Sequence, residues 1–190
     1  MKHAKIMLLS LLVLLSVNLL QANEHTTGMR ITYNSSDYLG VITDRYPMPG
    51  FTLGGLYLQA FPVFDMQVEL FLSTKGFQLS SMGDTRLSNL FIYLELPVSV
   101  RKEFFKNETW NIYVLGGLSA KFKVLAINLV SEIEGVRMFD AGVHAGLGLR
   151  YSKVALEARY DQSFINFDLI EPGKYHQSIS LGMSFYFRDK

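Results

Sequence analysis

"GVHAGLGLRYSKVALEARYDQ", Gly142 to Gln162, decides the fold. Apolar side chains recur on every second position: Val143, Ala145, Leu147, Leu149 and Tyr151, then Val154, Leu156, Ala158 and Tyr160. Between them stand Gly142, His144, Gly146, Gly148 and Arg150, then Glu157, Arg159 and Asp161. A period of two over this length is the mark of a strand, and Ser152-Lys153 reads as a two-residue turn joining a hairpin. With that turn, Tyr151 faces Val154, Arg150 faces Ala155, Gly148 faces Glu157, Gly146 faces Arg159 and His144 faces Asp161. The apolar face carries no charge and the other face carries both signs. Which face is inside depends on the surroundings of the hairpin.

The same alternation recurs along the chain. In "FDMQVELFLSTKG" (64–76), Met66, Val68, Leu70 and Leu72 oppose Gln67, Glu69, Phe71, Ser73 and Lys75. In "NLFIYLELPVSVR" (89–101), Leu90 to Val100 on even positions oppose Phe91, Tyr93, Glu95, Pro97, Ser99 and Arg101. "TWNIYVLGGLSAKF" (109–122) and "SISLGMSFYF" (178–187) repeat the pattern. Eight strands are predicted, at 28–34, 51–61, 64–77, 88–103, 109–123, 137–151, 154–164 and 176–187. The first two are the least regular, because "GMRITYN" is short and Gly54-Gly55 breaks the phase of "FTLGGLYLQAF". Long joins (35–50, 78–87, 124–136, 165–175) alternate strictly with short ones (62–63, 104–108, 152–153). That ordering belongs to an antiparallel meander with all its long loops at one end, the loop asymmetry of membrane barrels.

The N-terminus agrees. "MKHAKIMLLSLLVLLSVNLLQAN" has Lys2 and Lys5, an apolar run from Ile6 to Leu20, and no acid before Glu24. This is the composition of a secretory signal peptide, with Ala22 as its last residue. The domains are therefore 1–22, signal peptide, and 23–190, barrel. Removing residues 1–22 leaves 16 basic against 17 acidic side chains, a balance of −1. Neither that balance nor any basic cluster points to nucleic acid. The chain has no cysteine, which excludes disulfides, cysteine–zinc sites and a lipid-modified cysteine.

Two architectures fit eight alternating strands. In a secreted sandwich the apolar faces would pack together and the charges would be solvated, leaving the glycines on the polar face without a purpose. In an eight-stranded antiparallel up-and-down transmembrane β-barrel the apolar faces meet lipid and the polar faces fill the lumen. Aromatic residues at predicted strand ends (Phe64, Trp110, Phe122, Phe139, Tyr151, Phe185, Phe187) match interfacial girdles. The barrel is the reading adopted. Leu94→Arg should then cost about 2–4 kcal/mol at the lipid face, and Ser99→Arg, in the lumen, should be milder.

"YLELPVSVRKEF", "IYVLGGLSAKF", "FDAGVHAGLGLRY" and "LEARYDQSF" occur in an order that resembles the small outer-membrane β-barrel domain family, the PorT-like and OmpX-like barrels. The resemblance runs from about Phe51 to Phe187 and rests on Tyr93-Leu94-Glu95-Leu96-Pro97, the Gly-Gly of the fifth strand and the Gly-x-Gly of the sixth. It implies an outer-membrane barrel and no catalytic residues. Such barrels end on an aromatic residue; here Phe187 is followed by Arg188-Asp189-Lys190.

No catalytic, cofactor or metal site is predicted. Gly-x-Ser-x-Gly is absent and no His-x-x-x-His pair exists. The candidate site is instead a lumenal charge network of Glu69, Glu95, Arg101, Arg150, Glu157 and Arg159. Tyr93 and His144 fill between them, and Gly146 and Gly148 make room for Glu157 and Arg159. Arg101 and Arg150 fall nearer the short-turn end. Buried charges are normally paired, so the network reads as an ionic plug; a proton- or ligand-gated path through the same residues is the alternative. The expected partners are outer-membrane lipid around a monomeric barrel, with a protein partner at the outer loops or, for a PorT-like export helper, at the periplasmic turns. A small-solute channel and a lipid-acting enzyme rank below these. "AINLVSEIE" (126–134) reads as either a short amphipathic helix or an extension of strands five and six.

Overall fold

The computed structural model describes residues 25–39, 45–80, 86–107, 109–128, 137–165 and 175–187. Eight antiparallel strands close in chain order into one barrel: β1 (His25–Leu39), β2 (Arg45–Ala60), β3 (Asp65–Ser80), β4 (Arg86–Lys106), β5 (Trp110–Asn128), β6 (Phe139–Tyr151), β7 (Val154–Ser163) and β8 (Tyr175–Tyr186). The sandwich alternative is thereby excluded, since β1 pairs with β8 and no edge remains. The β6–β7 register is the one expected from the hairpin, from Tyr151↔Val154 to His144↔Asp161. Ser152, the first residue of its turn, has φ of 51°, the left-handed conformation that a tight hairpin requires.

A walk around the ladder measures the closure. From Ile112 the partners are Leu149, Leu156, Met183, Ile31, Leu53, Leu72, Leu94 and finally Phe122, ten residues further along β5. Every residue on that circuit is apolar and points outward. With eight strands, a stagger of ten fixes a tilt of about 40° and a backbone radius of about 8 Å. Each residue then climbs about 2.5 Å along the axis.

The outward face is banded. Trp110 packs at a tilt on Tyr151 at 4.6 Å, Phe185 meets Phe187 edge to face at 6.1 Å, and Phe122 packs on Phe139 at 5.0 Å. These two girdles lie twelve residues apart on both β5 and β6. That is about 30 Å along the axis, against an apolar band of ~25 Å in outer-membrane barrels. Among the described residues, the outward face carries no charged side chain from above Lys102 to the upper girdle; Lys102 itself lies opposite Val114, and its ammonium reaches the Val63 carbonyl in the short turn. The interior is the reverse: of the described residues, 26 polar or charged side chains are buried against 9 apolar or tyrosine ones.

Several strands run further than the sequence pattern indicated. β1 continues through "NSSDYL" to Leu39, β2 begins at Arg45, and β4 spans 21 residues. Most of the expected long joins at 35–50 and 78–87 are therefore strand. Ala126 to Asn128 belong to β5, and the remainder of 126–134 lies outside the described residues. Residues 1–22 lie outside them as well. In β2 the sequence hid an inversion: Leu56 and Leu58 point inward and pack with Ala155 and Tyr186 at the short-turn end of the lumen.

Candidate functional site: the lumenal charge network

A barrel of this radius has an interior just wide enough to be filled by side chains. Ten charged side chains are buried among the described residues. Arg30, Lys75, Arg101, Lys121 and Arg159 are the cations, and Asp65, Glu69, Glu95, Glu157 and Asp161 are the anions. The fully buried set is balanced, five of each sign, and the partly buried carboxylates Glu103 and Asp140 add to it at the two ends. The charges are stacked in three layers.

The middle layer is a closed ring of two guanidiniums and two carboxylates. Arg30 donates to Glu69 Oε1 at 2.6 Å and lies 2.6 Å from Glu157 Oε2. Arg159 reaches Glu69 Oε2 at 2.8 Å and Glu157 Oε1 at 2.7 Å. Each of the four carboxylate oxygens thus has its own arginine nitrogen. Gln67 Nε2 adds a bond to Glu69 (2.9 Å), Tyr113 Oη donates to Glu157 (3.0 Å), and Arg30 Nε donates to Ser184 Oγ (2.7 Å). Desolvating such ions costs several kcal/mol each, so the ring adds little net stability; its saturation is what makes burial tolerable.

The lower layer, toward the short turns, centres on Arg101. Its guanidinium sits 3.6 Å above the Tyr113 ring and donates to Tyr186 Oη (3.2 Å) and Glu103 Oε1 (3.1 Å), with Asp65 at 3.9 Å. In the upper layer Lys75 pairs with Glu95 at 2.7 Å, and Lys121 lies 3.9 Å from Asp140. Asp161 is within Coulombic range of Lys75, Lys121 and Arg159. His144 meets Ser99 Oγ at 2.7 Å, and Tyr93 and His176 are also buried in the lumen. Between the middle and upper layers remains a cavity of about 30 Å³.

Of the expected network, Glu69, Glu157 and Arg159 come together in one ring, Glu95 joins the upper layer and Arg101 the lower. Arg150 does not join the ring. It is half-buried at the short-turn rim, stacked 4.2 Å over Tyr186 and donating from Nε to the Ser152 carbonyl (2.7 Å). The reading of the glycines also changes. A Cβ on Gly148 would strike the Tyr113 ring at 2.1 Å, so that space belongs to Tyr113 rather than to Glu157. A Cβ on Gly146 would meet the Ala158 carbonyl oxygen at 2.7 Å, with Arg159 Cα and Cβ at 3.5 Å. There the glycine admits the neighbouring backbone rather than the Arg159 head group. Gly182 on β8 is a further glycine at the ring. It pairs with Thr32 and Glu157; a Cβ there would meet Thr32 Oγ1 at 2.7 Å, with Arg30 Cδ at an ordinary 3.5 Å, so its bare Cα makes room for Thr32 beside the ring.

Sequence reasoning misses Arg30, because "GMRITYN" is a short and irregular strand segment. The available signal was the run Thr26, Gly28, Arg30, Thr32, Asn34, Ser36, polar on every second position. Lys75 and Lys121 are visible on polar faces without an assigned partner, and Asp161, expected opposite His144 and found there, has no place in the expected charge network.

The chemistry open to this arrangement is limited. The Ser99–His144 contact has the form of a nucleophile and its base, but His144 Nδ1 has no hydrogen-bond partner and both side chains are at most 4% exposed. No third group orients the imidazole, and no described cavity leads substrate to it. Among the described residues no group of three His, Asp or Glu side chains is placed to hold a metal.

No protein-family model matches the chain, and no curated protein matches it. Solved structures do. The outer-membrane protein Ail of Yersinia pestis, in a phospholipid bilayer nanodisc, is 19% identical with a TM-score of 0.50, over 86% of this chain and all of that one. Neisserial surface protein A is 15% identical with a TM-score of 0.51, over 86% of this chain and 97% of its own. The outer-membrane protein OprG of Pseudomonas aeruginosa is 12% identical with a TM-score of 0.51, over 87% and 95%. At these identities the likeness is one of fold: a closed eight-stranded antiparallel barrel of the small outer-membrane type.

Proposed function

We propose that the mature chain is a monomeric integral outer-membrane barrel. Its lumen is closed by the charge network, and it acts as a structural or interaction barrel through the loops at its long-loop end. One observation carries this reading: the Arg30–Glu69–Arg159–Glu157 ring spans the barrel interior and saturates every carboxylate oxygen. A conducting pore needs water where this ring stands. The apolar circuit between two aromatic girdles supports placement in lipid, and the composition of residues 1–22 supports export through a cleaved leader, with Asn23 as the mature N-terminus.

The test is direct. The mature protein should fractionate with the outer membrane, change gel mobility on heating, and show no steady conductance in planar bilayers. Soluble periplasmic protein without a heat shift would sink the membrane reading, and a wild-type channel passing sugars would sink the plug. The PorT-like resemblance supports a second reading, an export helper with partners at the periplasmic turns. Crosslinkers placed at Pro62 and Ser152, against crosslinkers within residues 40–44 and 129–136, separate the two by which set captures a protein.

A further inference from the structure

We propose that the groove beneath the β2–β3 turn is a binding site for the headgroup of an anionic phospholipid in the leaflet on the short-turn side, with Lys102 as the phosphate ligand. It rests on the reading of the chain as a membrane barrel. β3 begins at Asp65, opposite Arg101, so Lys102 to Lys106 of β4 run on past the end of their neighbour. The notch that results is a groove of about 390 Å³, floored by Arg101 and Asp65 and walled by Phe61, Val63, Phe64 and Phe104.

Three features select the occupant. The first is position. Val63 and Phe104 are 67% and 69% exposed and Phe61 packs on Phe64 at 5.1 Å, so the groove opens within an aromatic girdle, where acyl chains give way to headgroups. The second is charge. The two carboxylates at the groove, Asp65 and Glu103, both lie against Arg101. Lys102 points outward and has the Val63 carbonyl as its partner, with no carboxylate. An ammonium carries three donors, so two remain for an incoming oxygen. The third is contrast: among the described residues the outward face above Lys102 carries no charge up to the upper girdle, and the Lys102 ammonium turns down to the Val63 carbonyl in the short turn, the level at which lipid phosphates begin.

The experiment reads lipid contact at the groove. Trp110 is the single tryptophan, and a Trp110→Phe, Phe104→Trp variant of the mature chain moves the fluorophore into the groove wall. It is reconstituted in phosphatidylcholine vesicles in which either the phosphatidylcholine or added phosphatidylglycerol is brominated. One interfacial lysine should favour the anionic lipid by about fivefold. Lys102→Gln should bring that preference close to one, and Lys153→Gln, on the β6–β7 turn, should leave it intact. An unchanged preference in Lys102→Gln overturns the site, as does an equal loss in Lys153→Gln, which would mean that general rim charge attracts the lipid. Absence of quenching by either brominated lipid would instead overturn the membrane reading itself.

Discussion

Gly148 and Tyr113 are direct cross-strand partners, and the glycine's missing Cβ is where the tyrosine ring lies. That one vacancy lets Tyr113 bond Glu157 of the ring on one side and stack under Arg101 on the other. Gly148→Ala must push the ring off both. We expect a loss of about 1–3 kcal/mol, the usual cost of overpacking, measured as a lower urea midpoint for the heat-shifted form. Gly116→Ala is the control, since its Cβ would point to lipid with nothing nearer than the His144 carbonyl oxygen at 3.7 Å. Equal effects at the two positions would show that glycine content as such matters, not this contact.

The ring makes a distinct prediction about pairs. Arg159→Ala leaves Glu69 Oε2 without its cation and leaves Glu157 Oε1 with Arg30 alone, at 2.8 Å. Breaking a buried pair from one side costs about 3–5 kcal/mol. Removing Glu157 as well leaves Arg30 and Glu69, still 2.6 Å apart and mutually neutral. The double variant Arg159→Ala, Glu157→Ala should therefore lose less than the two single losses added, with a coupling of about 0.5–3 kcal/mol. Strict additivity would mean that the ring is solvated and does not close the lumen.

How far the sequence could be read follows from where each residue meets lipid. On β6 and β7 one face touches acyl chains and the other touches the lumen, so alternation is clean, and the register could be counted from a two-residue turn. Toward the long-loop end the apolar positions stop recurring. There "SSDYL" of β1 and "RL" of β4 show no period in the sequence although the ladder continues, and they read as loop, even though Ser36 is buried in the lumen. At the bottom of the lumen Leu56 and Leu58 are apolar because they pack on Tyr186, which gives β2 apolar residues on both faces. The charge partners were harder still. Arg30 and Glu157 sit on strands separated by β8, and only the closure of β8 on β1 brings them within reach.

Depth along the outward face sets the last prediction. Leu94 looks from the alternation like a lipid-facing residue of full depth. In the barrel it pairs with Phe122, a girdle residue, so an arginine there can extend to the headgroups. Leu147, two positions from the midpoint of the span Phe139 to Tyr151 and 63% exposed, has no such escape. Leu147→Arg should cost about 2–4 kcal/mol and Leu94→Arg only about 0–1 kcal/mol, read from folding yield and urea midpoint in vesicles. Ser99 reverses the expectation formed from sequence. It faces the lumen, is 1% exposed and is bonded to His144, so Ser99→Arg must expel packed neighbours and add a sixth cation to five balanced pairs. The expected order of folding is Leu94→Arg close to wild type, with Leu147→Arg and Ser99→Arg both failing. A well-folded Ser99→Arg protein would mean an interior with room to spare, and the closed-lumen reading would fall with it.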